Sequence, residues 1–99
     1  MCEFKIIRKN DGSQILEDIV VLSYNENYDL VCTDILGIGE ALESTLILDV
    51  NTLNQTCIVY HHPIIQDFIK LMNDLNSNTV SKKQIEDIQN NLEKIKITL

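Results

Sequence analysis

Ninety-nine residues, 44% of them hydrophobic, are enough for one small domain with a core and exclude an intrinsically disordered chain. Fifteen acidic against eight basic side chains give a net charge of −7, the reverse of the Lys/Arg excess that neutralises a phosphate backbone. No apolar run approaches the ~20 residues of a membrane span. Lys5, Arg8 and Lys9 interrupt the only early apolar stretch, so no signal peptide is read and a cytoplasmic protein is expected.

In chain order, FKIIRK reads as a first strand, and NDGS follows with Asp11-Gly12, a strong tight-turn signal. QILEDIVVLSY is a β-branched second strand, NENYD a polar turn, and LVCTDIL a third strand. Gly37 and Gly39 in ILGIGE permit a sharp bend, with Gly37 serving the turn after Asp34. ALESTLILDV is again strand-like, NTLNQ turns, and TCIVY closes the segment. About five strands at short spacing predict a small antiparallel β-barrel or meander over residues 1–60.

Residues 61–99 read differently. Pro63 suits a first helical position, where its missing N–H costs nothing. Ile65, Phe68, Ile69, Met72 and Leu75 then follow helical spacing. NSNT breaks the pattern. Ser81 and Gln84 form an S-x-x-Q capping box, with Val80 and Ile85 placed as a hydrophobic staple. Ile85, Ile88, Leu92 and Ile95 make a narrow seam suited to a partner helix. The spacing predicts helices over 63–76 and 81–95, an αα-hairpin; the final KIKITL also alternates and is compatible with a short strand. The whole is an α+β chain. Its charge divides at the same place. Residues 1–60 hold three basic against ten acidic side chains, and residues 61–99 hold five of each. The acidity suits a cation or a basic partner, or simply keeps the domain soluble.

No nucleophile elbow, phosphate-binding loop, dinucleotide glycine fingerprint or H-E-x-x-H helix is present, so no enzyme is expected. Three cysteines without a CxxC pair suggest neither a disulfide framework nor a zinc finger. Cys2 stands apart from the other two. Removal of Met1 would leave an N-terminal cysteine whose amine and thiolate close a five-membered chelate ring on one metal. The amide nitrogen of Glu3 is near enough to join if deprotonated. Planar N/S donation suits Ni(II), and a two-fold dimer would bring two Cys2 residues to one ion. From these residues alone an incidental thiol is the favoured reading, because a single thiol is weak support for a metal site.

MCEFKI, the turn NDGS, ILEDI at 15–19 and DILG at 34–37, in that order and spacing, resemble the CooT-type family of small nickel-binding proteins. The resemblance covers about residues 1–60. It implies a compact β-barrel-like subunit, a homodimer, and Ni(II) bound at the N-terminal cysteine. The family's ligand maps onto Cys2, with main-chain nitrogen at Cys2 and Glu3 as companion donors. It implies storage or delivery of nickel to a client nickel enzyme, in some members carbon monoxide dehydrogenase. Members are also catalogued as predicted RNA-binding proteins, a description that the charge here disfavours. The helical hairpin of residues 61–99 has no counterpart in the family's pattern.

Other candidates weigh less. Cys32 and Cys57 sit among β-branched neighbours and are expected as buried thiols. His61-His62 reads as a polar strand-to-helix junction or an auxiliary metal or pH-sensing pair. Glu17-Asp18 reads as a solvated edge or a carboxylate pair near the metal. Tyr24, Tyr28 and Tyr60 lack interleaved basic residues and do not make a nucleic-acid surface. Three functions follow: a nickel-binding homodimer, an RNA-binding module, or a metal-free interaction domain dimerising through its helices.

Overall fold

The computed structural model of the chain describes residues 3–99. Six strands precede two helices: β1 (Phe4–Arg8), β2 (Ser13–Tyr24), β3 (Leu30–Asp34), β4 (Gly39–Leu42), β5 (Thr45–Asn51), β6 (Thr56–His61), α1 (Pro63–Asn76) and α2 (Lys82–Ile97). This is the expected α+β order of a β-meander followed by a helical hairpin. Two details differ. ALESTLILDV is two strands, because Ser44 adopts φ +49° and turns the chain between β4 and β5. KIKITL does not form a strand; α2 continues through Ile97, with Lys94 and Lys96 favourably placed in its last turn.

The strands form one sheet in the order β4-β3-β2-β1-β6-β5. β1 pairs antiparallel with β2 on one side and parallel with β6 on the other, so the sheet is mixed rather than wholly antiparallel. The parallel pair follows from how the sheet curls. β4 and β5 are its two edges, yet only Glu43 and Ser44 separate them in the chain. A flat six-stranded sheet would hold its edges about 24 Å apart, whereas this link spans at most about 11 Å. The sheet therefore curls into a half-barrel whose edges meet at the Glu43–Ser44 turn. There the Tyr24 hydroxyl donates to the Thr45 carbonyl at 2.7 Å. The β5–β6 hairpin is thus delivered to the free side of β1 in the parallel sense.

Curling gives the sheet an inside. Ile6, Leu30, Cys32, Cys57 and Val59 are fully buried there, with Ile19 nearly so; Phe4, Leu16, Leu22, Leu42 and Ile47 pack around them. Each large apolar side chain so buried contributes about 2 kcal/mol. A bulge in β2, with Asp18 at φ +57°, breaks the register beside Ile19 and lets the long strand pair first with β1 and then with β3.

The helices hang from the end of the half-barrel where β6 exits. His62 caps α1, its ring Nδ1 accepting from the Ile64 N–H at 3.1 Å, and Pro63 opens the helix. The buried Ser44 hydroxyl donates to the carbonyls of His62 (2.6 Å) and Pro63 (2.9 Å) and accepts from the Gln66 N–H. Gln66 reaches the Asn27 carbonyl, and Asn73 donates to the Tyr28 hydroxyl. Ser81 caps α2 by accepting from the Gln84 N–H. The Gln84 side chain does not complete the capping box but crosses to Asp74 at 3.0 Å. Asn91 crosses likewise to Asp67 at 3.0 Å. The hairpin buries only Ile88. The radius of gyration, 15.5 Å, exceeds the roughly 13 Å of a compact chain of this length, because the hairpin projects from the sheet. Among the described residues no helix is long and apolar enough to cross a membrane.

Candidate functional site

The two ends of the half-barrel carry different groups. One end gathers the start of β1, the β2 bulge, the β3–β4 turn and the β5–β6 turn. Phe4 pairs with Ile19, and Ile19 with Asp34, so three strands are in register at one level. The Asp18 carbonyl, turned out by the bulge, accepts from the Ile35 N–H at 3.1 Å. Lys5 donates its N–H to the Gln55 carbonyl at 2.9 Å, tying β1 to the fourth segment. The stretches ILEDI and DILG and the described part of MCEFKI, well separated in the chain, are therefore neighbours in space.

The turns at this end are built by side chains on their own backbone. Asp34 Oδ1 accepts from the N–H groups of Leu36 (2.9 Å) and Ile38 (3.0 Å), while Gly37 takes φ +84°. Asn51 Oδ1 accepts from Leu53 and Asn54, both at 3.0 Å. Asp34 is thus occupied with the turn. What the turns present outward is apolar: Ile35 is 51% exposed, Leu36 79%, Ile38 64% and Leu53 94%. Turn tips are ordinarily polar, and four large aliphatic side chains on one rim are the mark of a surface that another surface covers.

Cys2 lies outside the described residues. Glu3 is exposed. Glu17 and Asp18 are also exposed; Asp18 has the backbone task described above. Among the described residues no three His, Cys, Asp or Glu side chains come together as a cation site.

The other candidates fall elsewhere. Cys32 and Cys57 are core thiols. Burial, with Cys57 and Glu40 adding, pushes the Cys32 thiol up to about 11. Burial and then Asp49 raise Cys57. Both are held as neutral thiols, the form that neither ligates nor attacks. His61 and His62 lie at the opposite end and are spent on structure. His61 Nδ1 is 3.0 Å from the Glu43 carbonyl, and its backbone pairs with the Asn10 side chain on both sides (2.9 and 2.8 Å); His62 is the α1 cap. Tyr24 and Tyr28 are likewise engaged.

Sequence reasoning missed the apolar rim and the Ser44 anchor. Aliphatic residues on both sides of a glycine turn, as in DILGI, were the available signal for the rim. Ser44 carries none, since its partners come from residues 18 to 22 positions away. No family model matches the chain, and no curated protein matches it.

Proposed function

We propose that this chain is a nickel-carrying homodimer that binds Ni(II) through Cys2 and the main-chain nitrogens of Cys2 and Glu3, and stores or delivers the metal without catalysing a reaction. The observation that carries this reading is the meeting of residues 4–6 with ILEDI and DILG at one end of the half-barrel, beside a rim of exposed Ile35, Leu36, Ile38 and Leu53. Three of the four segments on which the CooT-type resemblance rests thus share one end through their described residues, whereas NDGS turns at the other. One chain end offers too few donors for an ion. A second copy placed on the rim by a two-fold axis would cover the aliphatic tips and bring a second Cys2 to the first. A thiolate with amine and amide nitrogens is a donor set for Ni(II), although Cu(II) binds such donors more tightly by intrinsic affinity. The excess of acidic side chains in residues 1–60 favours cations over anions.

The test is anaerobic native mass spectrometry of chains beginning at Cys2, with and without Ni(II). One nickel per two chains, lost in Cys2→Ser, is the expected result. Equal nickel uptake by Cys2→Ser, or none by chains beginning at Cys2, overturns the reading.

A further inference from the structure

The hairpin carries apolar side chains that the described chain leaves uncovered. α1 and α2 meet through Asp67–Asn91 and Asp74–Gln84 and through Ile88. That contact leaves two further stripes free. Along α1, Ile65, Phe68, Met72 and Leu75 repeat at intervals of three and four; along α2, Ile85 and Leu92 are seven apart. Phe68 is 38% exposed, Met72 60%, Leu75 56% and Leu92 45%. On an ideal helix Phe68 and Leu75 sit about 100° from the Asp67–Asp74 line, and Ile85 and Leu92 about 100° from the Gln84–Asn91 line, in the same rotational sense. In an antiparallel hairpin that places both stripes on one flank.

We infer that this flank is a pairing surface for a second copy of the same chain, the two hairpins forming a four-helix bundle. Three observations select that occupant. The three-four spacing is the pattern by which helices interdigitate, so the cover is helical, and a two-helix unit with stripes on both helices is half a bundle. The exposed apolar area on the flank is on the order of 500 Å² per copy, which with the flanking stems approaches the ~800 Å² per partner of a stable interface. Charge separates a second copy from a foreign basic partner. Residues 1–60 hold the entire excess of seven negative charges, whereas residues 61–99 hold five lysines and five acids. A basic partner would be drawn to the sheet. Two copies meeting through their hairpins place neutral, mixed-charge surfaces together and avoid like-charge repulsion.

The pairing is independent of the metal. Its site is at the β6 exit, while β1 begins at the opposite end of the half-barrel. Sedimentation velocity of the full chain in excess chelator, in a Cys2→Ser background, tests it apart from nickel binding. A dimer is expected. Leu92→Glu and Met72→Glu, both at exposed positions that the single chain does not need, are expected to weaken pairing about 100-fold each while helicity by circular dichroism is kept. Ile97→Glu is the control: Ile97 is 74% exposed but points away from the flank, and its substitution is expected to leave pairing unchanged. A monomer at every soluble concentration overturns the inference. So does a dimer that survives both flank substitutions, or one that Ile97→Glu disrupts equally.

Discussion

The sheet and the hairpin are made of similar residues and reach different ends. Each is rich in isoleucine and leucine at regular spacing. The sheet fully buries five side chains, whereas the hairpin buries one, Ile88, at 7% exposure. The difference is one of layers. A curled sheet is its own second layer, because the Glu43–Ser44 turn brings its edges together and closes a volume. Two helices enclose nothing and need another layer to cover them. Periodicity therefore says which face of an element is meant to be buried; whether the chain itself supplies the cover is a question of topology.

Paired core substitutions break or sharpen this contrast most strongly. Leu30→Ala should cost about 3 kcal/mol, a cavity in a closed core, read as a lowered urea midpoint with an unchanged slope. Ile88→Ala, in solution dilute enough to hold single chains, should cost about half as much, since the lining of its cavity is incomplete and water can enter. Equal costs would mean that the hairpin is covered even in the isolated chain.

Next in size is the joint between the two regions. The Ser44 hydroxyl holds the first turn of α1 through His62, Pro63 and Gln66. Ser44→Ala should cost about 1–2 kcal/mol, the value of leaving these groups without their buried partner. Hydrogen exchange should quicken at the Gln66 amide and its neighbours, with the amides of β1 and β6 unaffected. Faster exchange throughout the sheet would show that hairpin and sheet unfold as one unit.

What could be read from the sequence follows the same division between local and distant causes. The α1 span of 63–76 and the Ser81 cap of α2 were legible because Pro63, Ser81 and the three-four spacing act within one turn of the helix. The Asp11-Gly12 and Asp34-Gly37 turns were legible for the same reason, and Gly12 and Gly37 do take positive φ. Cys32 and Cys57 were legible as core thiols from their β-branched neighbours. The β1–β6 parallel pair was not, since it joins residues about fifty positions apart and depends on the curl. Nor were the bends at Asp18 and Ser44, where residues other than glycine adopt positive φ under tertiary constraint. For the candidate site, the segments were visible but their adjacency was not, because it needs the register Phe4–Ile19–Asp34.

A smaller effect distinguishes the two regions by pH. Cys32 has its pKa raised from 9.0 to about 11, and Cys57 is raised as well. In the unfolded chain these thiols ionise near their ordinary value, so the stability that they contribute is complete below about pH 9 and is lost as pH rises toward 11. Tyr24, also raised by burial, adds in the same sense at higher pH. The loss for the sheet should be on the order of 1 kcal/mol, and Cys32→Ala should flatten the alkaline slope whatever it does to the midpoint at neutral pH. Neither thiol should react with a disulfide reagent in the native protein at pH 7. Rapid labelling of Cys32 would place an opening between β4 and β5, the two strands that meet only at their turn.

The smallest effect concerns the β1–β2 turn. Arg8 donates to Asp11 at 2.8 Å, and the Ser13 hydroxyl and N–H donate to Asp11 Oδ1 at 2.7 and 3.0 Å. Hydrogen bonds from Arg8 and then Ser13 hold the Asp11 carboxyl well below the usual carboxylate range. A depressed pKa contributes stability above the ordinary value near 3.8 and loses it as pH falls further, so any contribution belongs to the acid limb. The pair is exposed and screened by solvent, and exposed ion pairs of this kind add little. Asp11→Asn should therefore leave the urea midpoint at pH 7 almost unchanged and show itself only as a carboxyl missing from the most acidic part of an NMR titration. Gly12 at φ +72° and the Arg8–Ser13 register already fix the turn through the backbone, which is why removing the charge should not move it. A marked loss of stability would instead make Asp11 the element that sets the β1–β2 register, and through β1 the position of Phe4 beside Ile19 at the far end of the strand.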